Sequence, residues 1–287
     1  MTRIDGFVVI DKPAGITSHD VVSRLRKVLG TRQIGHAGTL DPMATGVLVL
    51  GINNGTKFLQ YIVSGKKRYQ ATIRLGESRT TDDKDGETIS TKSVAGIKPE
   101  QIKSELSRFH GEIDQIPSSV SAIKVNGKRA YQRVREGEVV ELKARKVQIF
   151  NIEVLEIRTG EFLDLDIDVT CSAGTYIRAI ARDLGDRLGV GGHLTALRRS
   201  EVQPFTLNDV TDVDKPVVRP LADSLHGLMS QRNVSSDEKR DLSFGRTISP
   251  SEFQGPGVAL FDGDVIAIIE NKEERAQPLA VFMKESS

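Results

Sequence analysis

One stretch of the chain, Gly35 to Leu50, read G-H-A-G-T-L-D-P-M-A-T-G-V-L-V-L, limits what the rest can be. Its end, Val47 to Leu50, is an apolar run closed by Gly51, which predicts a buried strand. Ahead of that strand a single carboxylate, Asp41, is wedged between Leu40 and Pro42. Gly35, Gly38 and Gly46 let the backbone turn sharply and let another molecule come close, while Pro42 fixes φ and removes a donor beside the acid. Such a loop presents one acid. An aspartate before an apolar element also serves as a plain cap or Asx-turn, so the loop alone leaves both readings open.

The 287 residues suffice for one large or two unequal domains with a real core. A formal charge of +1 conceals clusters: Lys66, Lys67 and Arg68 are consecutive, Lys124, Lys128 and Arg129 bracket a turn, and Arg198 adjoins Arg199. Each cluster is either a phosphate-binding patch or a solvated face. Cys171 is the one cysteine, which excludes an intramolecular disulfide and a cysteine-based zinc site and suits a reducing cytosol. No stretch reads as a signal peptide or as a membrane span. With no tryptophan, any base-stacking surface must come from tyrosine, phenylalanine or arginine.

Taken in order, Gly6 to Ile10 predicts a first strand and Asp11 to Gly15 a turn, in which Lys12 is either a phosphate ligand or a solvated turn lysine. Thr17 or Ser18 caps a helix carrying Val21, Val22, Leu25 and Val28, stopped by Gly30. A short apolar helix is expected from Thr56 to Val63, then an alternating strand opened by Tyr69, which is either a half-buried core residue or a ring that stacks on a base. The acidic segment Gly76 to Gly86 lacks EF-hand spacing and reads as a solvated loop. A helix is expected over Lys98 to His110, an Asn-Gly turn at Asn126 and Gly127, and a short basic helix from Tyr131 to Arg135. Lys146 to Ile157 and Phe162 to Cys171 alternate as antiparallel strands with one wet face. Gly174 to Arg178 opens a helix striped by Ile177, Ile180, Ala181, Leu184 and Leu188. Arg178 sits in its first turn, where the helix dipole already favours an anion; the alternative is a surface pair with Asp183 or another nearby acid. His193 to Phe205 reads as a strand, with His193 structural because no partner histidine stands at metal spacing. A helix near Pro220 to Met229 is followed by a polar run, Ser230 to Lys239, that reads as linker and domain boundary, and the remainder as a small β module.

These residues suit an anionic substrate with a sugar or base to work on. A glycoside hydrolase would normally use two carboxylates, and the best second acid, Asp83, stands in a loop without an evident place. No Gly-x-Ser-x-Gly elbow, no phosphate-binding Gly-Lys-Ser/Thr loop and no Gly-x-Gly-x-x-Gly turn is present. Pattern reasoning ends at a single-carboxylate enzyme or an RNA-binding module.

The segments G-H-A-G-T-L-D-P-M-A-T-G-V-L, D-K-P-A-G-I-T-S-H-D, S-A-I-K-V-N-G-K-R-A-Y and G-T-Y-I-R-A-I-A-R-D-L-G closely resemble, in order, the TruB family of tRNA pseudouridine synthases. The likeness runs from about Gly6 to Phe205. It implies isomerisation of the uridine at tRNA position 55, in the T-loop, to pseudouridine, without cofactor or metal, in the cytoplasm. It implies an α+β fold: a mixed, largely antiparallel sheet flanked by helices over residues 1–229, and a small β-rich, PUA-like RNA-binding domain over residues 230–287. By the same resemblance Asp41 is the essential aspartate, Tyr69 packs on the target base and Arg178 pairs with Asp41, while His36, Tyr176 and Leu197 line the substrate site. Ser118 departs from the family pattern, which commonly has a second proline after Pro117; Arg79 and Thr80 depart from it in the acidic loop. The expected partner is the T-arm of tRNA, bound by a monomer with no membrane association. Beside Arg178, Asp41 is expected to stay ionised because opposite charge at contact distance outweighs apolar surroundings. The second reading is a non-catalytic tRNA-binding or RNA-folding protein on the same scaffold.

Overall fold

A computed structural model describes residues 4–118 and 142–282, and the backbone of β8 (Lys124–Val125) and β9 (Lys128–Arg129), which pair antiparallel. The expected turn at Asn126 and Gly127 and the expected helix from Tyr131 to Arg135 lie outside the described residues.

Apolar runs without polar alternation demand strands covered on both faces, and β1 (Gly6–Lys12) is such a strand: Val8 and Ile10 enter one core, Phe7 and Val9 another. β2 (Ile34–His36) and β3 (Thr45–Ile52) follow, with β3 antiparallel to both β1 and β2. Between β1 and β2 runs α1 (Ser18–Leu29), capped by a reciprocal Thr17–Asp20 box and ended by Gly30 at φ 64°. Its Val21, Val22 and Leu25 are buried, as their spacing predicts, but Val28, the fourth residue of that stripe, is exposed.

The apolar segment after β3 is a 3₁₀ turn, Asn53–Phe58, running into α2 (Leu59–Ser64) rather than one helix. β4 (Lys67–Leu75) alternates buried and wetter positions, β5 (Glu77–Arg79) and β6 (Thr88–Thr91) form a hairpin, and α3 (Pro99–Ser107) precedes β7 (Gly111–Gln115). β10 (Arg145–Thr159) and β11 (Leu163–Cys171) make the expected long antiparallel pair. Then come α4 (Ile177–Arg187), β12 (Gly192–Val202), β13 (Phe205–Thr206), β14 (Arg219–Pro220) and α5 (Leu221–Leu225).

The large sheet has the order β14-β1-β3-β12-β4-β11-β10-β7, with β2 on β3 and β13 on β12. Its neighbours are antiparallel except β12 on β3, which run parallel at Arg198↔Thr45 and Arg199↔Gly46. That pairing brings Arg199, late in the chain, beside the Asp41 loop. Gly46 permits it: φ there is +104°, and a Cβ would lie 2.1 Å from the Arg199 carbonyl oxygen.

The polar run at 230–239 is structured. β15 (Ser230–Asn233) pairs parallel with β16 (Gly257–Phe261), and α6 (Ser236–Ser243) begins at a Ser235–Glu238 capping box. A capping box reads as polar sequence, which is why the run resembles a linker. β17 (Asp264–Lys272) and β18 (Arg275–Val281) complete a small sheet, β15-β16-β17-β18. Its Val258, Leu260, Val265 and Ile268 share one apolar core with Phe7 and Val47 of the large sheet and Phe58 of the 3₁₀ turn, and the Phe58 and Phe282 ring centres lie 5.2 Å apart. Among the described residues no helix is long and apolar enough to cross a membrane.

Candidate active site

The loop between β2 and β3 holds Asp41 by its neighbours. The Ser18 hydroxyl, buried at the start of α1, accepts from the Leu40 N–H at 2.9 Å and lies 3.2 Å from the Leu40 carbonyl, to which it also donates. The Gly15 N–H at 2.8 Å and Lys12 Nζ at 3.3 Å both donate to the Pro42 carbonyl. Lys12 also donates to the carbonyls of Pro13 and Ile16, each at 2.8 Å. Both residues flanking Asp41 are therefore tied to the stretch from Lys12 to Ser18 that joins β1 to α1. Neither sequence reading of Lys12 holds. It is fully buried, and burial pushes its ammonium down to about 8 against the opposing pull of Asp41.

From the other side comes Arg178, in the first turn of α4 and only 5% exposed. Its Nε lies 3.1 Å from Asp41, its Nη1 lies 3.3 Å from Asp83, and Nη1 donates to the Thr81 carbonyl at 2.9 Å. The partner is Asp41, not Asp183, which binds Arg182. The acidic loop is solvated only in part: Thr80, Lys84 and Asp85 are exposed, Asp82 and Asp83 turn inward. Asp83 is buried, the carbonyl of Asp82 accepts from the Leu194 N–H, and the Asp82 carboxylate accepts from Ser118 and Arg182. Arginines from α4 draw the acids inward, an arrangement the local composition of the loop cannot reveal.

Sharing Arg178 between two carboxylates changes the electrostatics of Asp41. Burial pushes its carboxyl above the ordinary range; Arg178 and Lys12 pull it down, while Asp83 and Asp85 push it up. The net direction is upward, opposite to the sequence expectation, because burial outweighs the pull of Arg178, which is shared with Asp83, and Asp83 adds a like charge nearby.

Tyr69 on β4 and Arg199 on β12 stand opposite each other in register. Tyr69 is 8% exposed, and burial raises its phenol. Arg199 is 1% exposed and donates through Nε to Val47 O at 2.8 Å and through Nη2 to Gly38 O at 3.0 Å, clasping the two limbs of the Asp41 loop. Neighbouring Arg198 points the other way and binds Asp11, as strand alternation requires. The Lys66 to Arg68 cluster divides likewise: Lys66 lies over the Phe150 ring, Lys67 is buried and pushed by burial to about 8, and Arg68 pairs with Asp168. Neither cluster is a continuous phosphate patch.

Asp41, Tyr69, Tyr176, Arg178 and Leu197 line one cavity of about 250 Å³, joined by Lys67, Arg145 and Arg199. His36, on β2 opposite Leu50, is not among its lining residues. Tyr176 is the N-cap of α4 without a side-chain cap; instead the fully buried Gln115 amide pairs with its backbone, accepting from the N–H at 2.8 Å and donating to the carbonyl at 3.1 Å. The sequence reading missed Gln115 and Arg145, and named Lys12, Lys67 and Arg199 only as possible phosphate ligands or solvated charges. The one available signal was a cation at an inward position of an alternating strand, at Lys67 and Arg199. Among the described residues no cluster of three or more His, Cys, Asp or Glu is placed to hold a metal ion.

Consecutive family models match the chain: TruB family pseudouridylate synthase, N-terminal domain, over residues 26–177; tRNA pseudouridylate synthase B C-terminal domain over 178–216; and tRNA pseudouridine synthase II, C terminal, over 229–283. The tRNA pseudouridine synthase B of Corynebacterium glutamicum (strain R) is 51% identical over 277 residues, covering 94% of this chain and 93% of that protein. That of Arthrobacter sp. (strain FB24) is 49% identical over 296 residues, covering 97% of each. Among solved structures, a Cbf5-Nop10-Gar1 complex matches with a TM-score of 0.70 at 23% identity, over 97% of this chain and 85% of that one, a likeness of fold.

Proposed function

The chain belongs to the TruB family of pseudouridylate synthases, and from that premise we propose that it isomerises the uridine at position 55, in the T-loop of tRNA, to pseudouridine. The observation that carries the reading is a lone carboxylate, Asp41, 3.1 Å from a buried arginine, in a small cavity walled by Tyr69 and Leu197.

The bond from C1′ to N1 breaks, the uracil turns while held, and a bond from C1′ to C5 forms as C5 loses its proton to solvent and N1 takes one up. No atom or electron is gained overall, so the reaction requires no oxidant and no group donor. A cavity of about 250 Å³ keeps a detached base close to its sugar, and the Leu197 wall and Tyr69 ring limit the water that would turn isomerisation into hydrolysis. Asp41 acts as the carboxylate, by attack on C1′, by attack on the base, or by taking a sugar proton. Arg178 aims and charges it, Tyr69 supplies the ring against which the base packs, and Tyr176 and Leu197 shape the remaining wall. The base must first be flipped out, at about a few kcal/mol, which phosphate contacts offset. His36, outside the cavity lining, is assigned to contact with the T-loop around the flipped base. Residues 230–287 are assigned as a second RNA-contacting unit, supported by the C-terminal family match. A tRNA substrate puts the work of the chain in the cytoplasm, and the expected active form is a monomer.

The test is tritium release from a tRNA transcript labelled at uridine C5. One equivalent is expected, lost when the T-loop uridine is replaced. Tight tRNA binding without release would overturn the reading in favour of a non-catalytic RNA-binding protein, and free uracil would point to a glycosidase.

A further inference from the structure

Arg145, at the start of β10, stands opposite Gln115 in register, and the two grip the same residue from different sides. Gln115 holds the Tyr176 backbone; the Arg145 guanidinium lies 4.7 Å from the centre of the Tyr176 ring. Stacking fixes the plane of the guanidinium and leaves its edge to be satisfied. Yet Nε and Nη2 of Arg145 are both shielded from solvent and have no hydrogen-bond partner among the described residues. A charged edge without an acceptor is a costly arrangement to keep in a folded chain.

Which edge is open identifies the chemistry that fits it. Nε and Nη2 form the side of the fork that grips two oxygens of one anion. Arg74 uses that same edge in this molecule, donating from Nε and Nη2 to the two Asp164 oxygens at 2.8 Å each. Arg145 has no such acid within ion-pair distance among the described residues, and it lines the cavity with Asp41. That lining also holds Lys67, Arg178 and Arg199 but only one carboxylate, so a further anion is electrostatically favoured there.

We propose that Arg145 is a substrate-binding residue whose open edge takes the two non-bridging oxygens of a phosphodiester beside the flipped nucleotide. The proposal rests on the RNA reading above and adds to it the strand contact that holds the nucleotide in the cavity. Gln115 then serves as a positioning residue, since it fixes the Tyr176 platform on which Arg145 lies.

The experiment measures equilibrium binding of T-arm stem-loop RNAs in which the phosphates flanking the target uridine are replaced, one at a time, by neutral methylphosphonates. For the wild-type chain, one linkage is expected to cost about tenfold in affinity, the scale of one charge-assisted contact. Arg145→Ala is expected to lose about the same tenfold on native RNA, to lose nothing further at that linkage, and to show a salt slope shallower by about one ion. Arg145→Lys keeps charge and most of the bulk, and is expected to keep the salt slope while losing several-fold in affinity, because its ammonium lacks the fork. Folded Arg145→Lys protein with wild-type affinity and wild-type linkage sensitivity would overturn the proposal, as would losses in Arg145→Ala that add at every linkage. Binding does not require turnover, so a wild-type chain that binds without forming pseudouridine defeats the functional reading separately.

Discussion

Around the Asp41 loop the interior holds charge: Lys12, Arg178, Arg199 and Asp83 are each no more than 5% exposed. The interior of the C-terminal sheet is made instead of Val258, Ala259, Ala267, Ile268 and Ile269, and its Arg246–Asp241 pair lies at the surface. Both regions are folded from strands with similar apolar patterning. The difference is that the buried Lys12, Arg178 and Arg199 are matched to carbonyls or carboxylates on and around that loop. Taking charge out of water is expensive, and stripping a partner from it more so. The large sheet accepts that cost around the carboxylate proposed to act; the small sheet, among its described residues, buries no lysine, arginine, aspartate or glutamate.

The contrast can be broken at four points. The largest effect is expected for Asp41→Asn, which should lower turnover by roughly a thousandfold or more while leaving the melting temperature and tRNA affinity nearly unchanged, because its neighbours rather than its carboxylate hold the loop. Single-turnover rates beside calorimetry check it. Next, Lys12→Met removes the lysine donor from the carbonyls of Pro13 and Ile16 and one of two donors from that of Pro42, and should cost about 2–3 kcal/mol in urea unfolding. The same lysine gives a pH signature. Its folded value, about 8, lies below the ordinary 10.5, so above pH 8 the unfolded chain binds more protons than the folded one and stability rises with pH toward 10.5. Lys67 contributes with the same sign, and melting temperatures across that window would show the rise, reduced in Lys12→Met.

A smaller effect is expected for Asp83→Asn. Arg178 loses its second carboxylate and Asp41 loses a like charge, so turnover should fall by about tenfold, near 1.4 kcal/mol, and the acid limb of the rate profile should move to lower pH. An unmoved acid limb would separate Asp83 from Asp41. Least of all, Arg246→Met, 68% exposed at its side chain, should change stability by no more than about 0.5 kcal/mol. A loss as large as that of Lys12→Met would erase the distinction between the two regions.

The sequence displayed Asp41, Tyr69 and Arg178 through their motifs and the main strands through alternation. What it hid was convergence. Asp83 sits in a run of polar residues, and nothing local says that Arg178 and Arg182 fold that run inward. Arg198 and Arg199 are neighbours in the chain yet serve opposite faces of β12, so a cluster of charge in the sequence is divided by the pleat. Gln115 acts through a side-chain amide that mimics a strand partner for Tyr176, an interaction with no local pattern to betray it. Ser230 to Lys239 misled for the reverse reason, since its polar letters encode a capping box and an edge strand.

The parallel seam between β12 and β3 bears on how the molecule comes into being. Strands β3 and β4 follow closely in the chain, but β12 lies between them, so the middle of the large sheet cannot close until synthesis has passed Val202. Non-local closure of this kind slows folding. Arg199 completes the clasp on the Asp41 loop only at that step. A ribosome-bound chain that has just extruded its aspartate motif therefore carries the acid without the β12 contacts that clasp its loop.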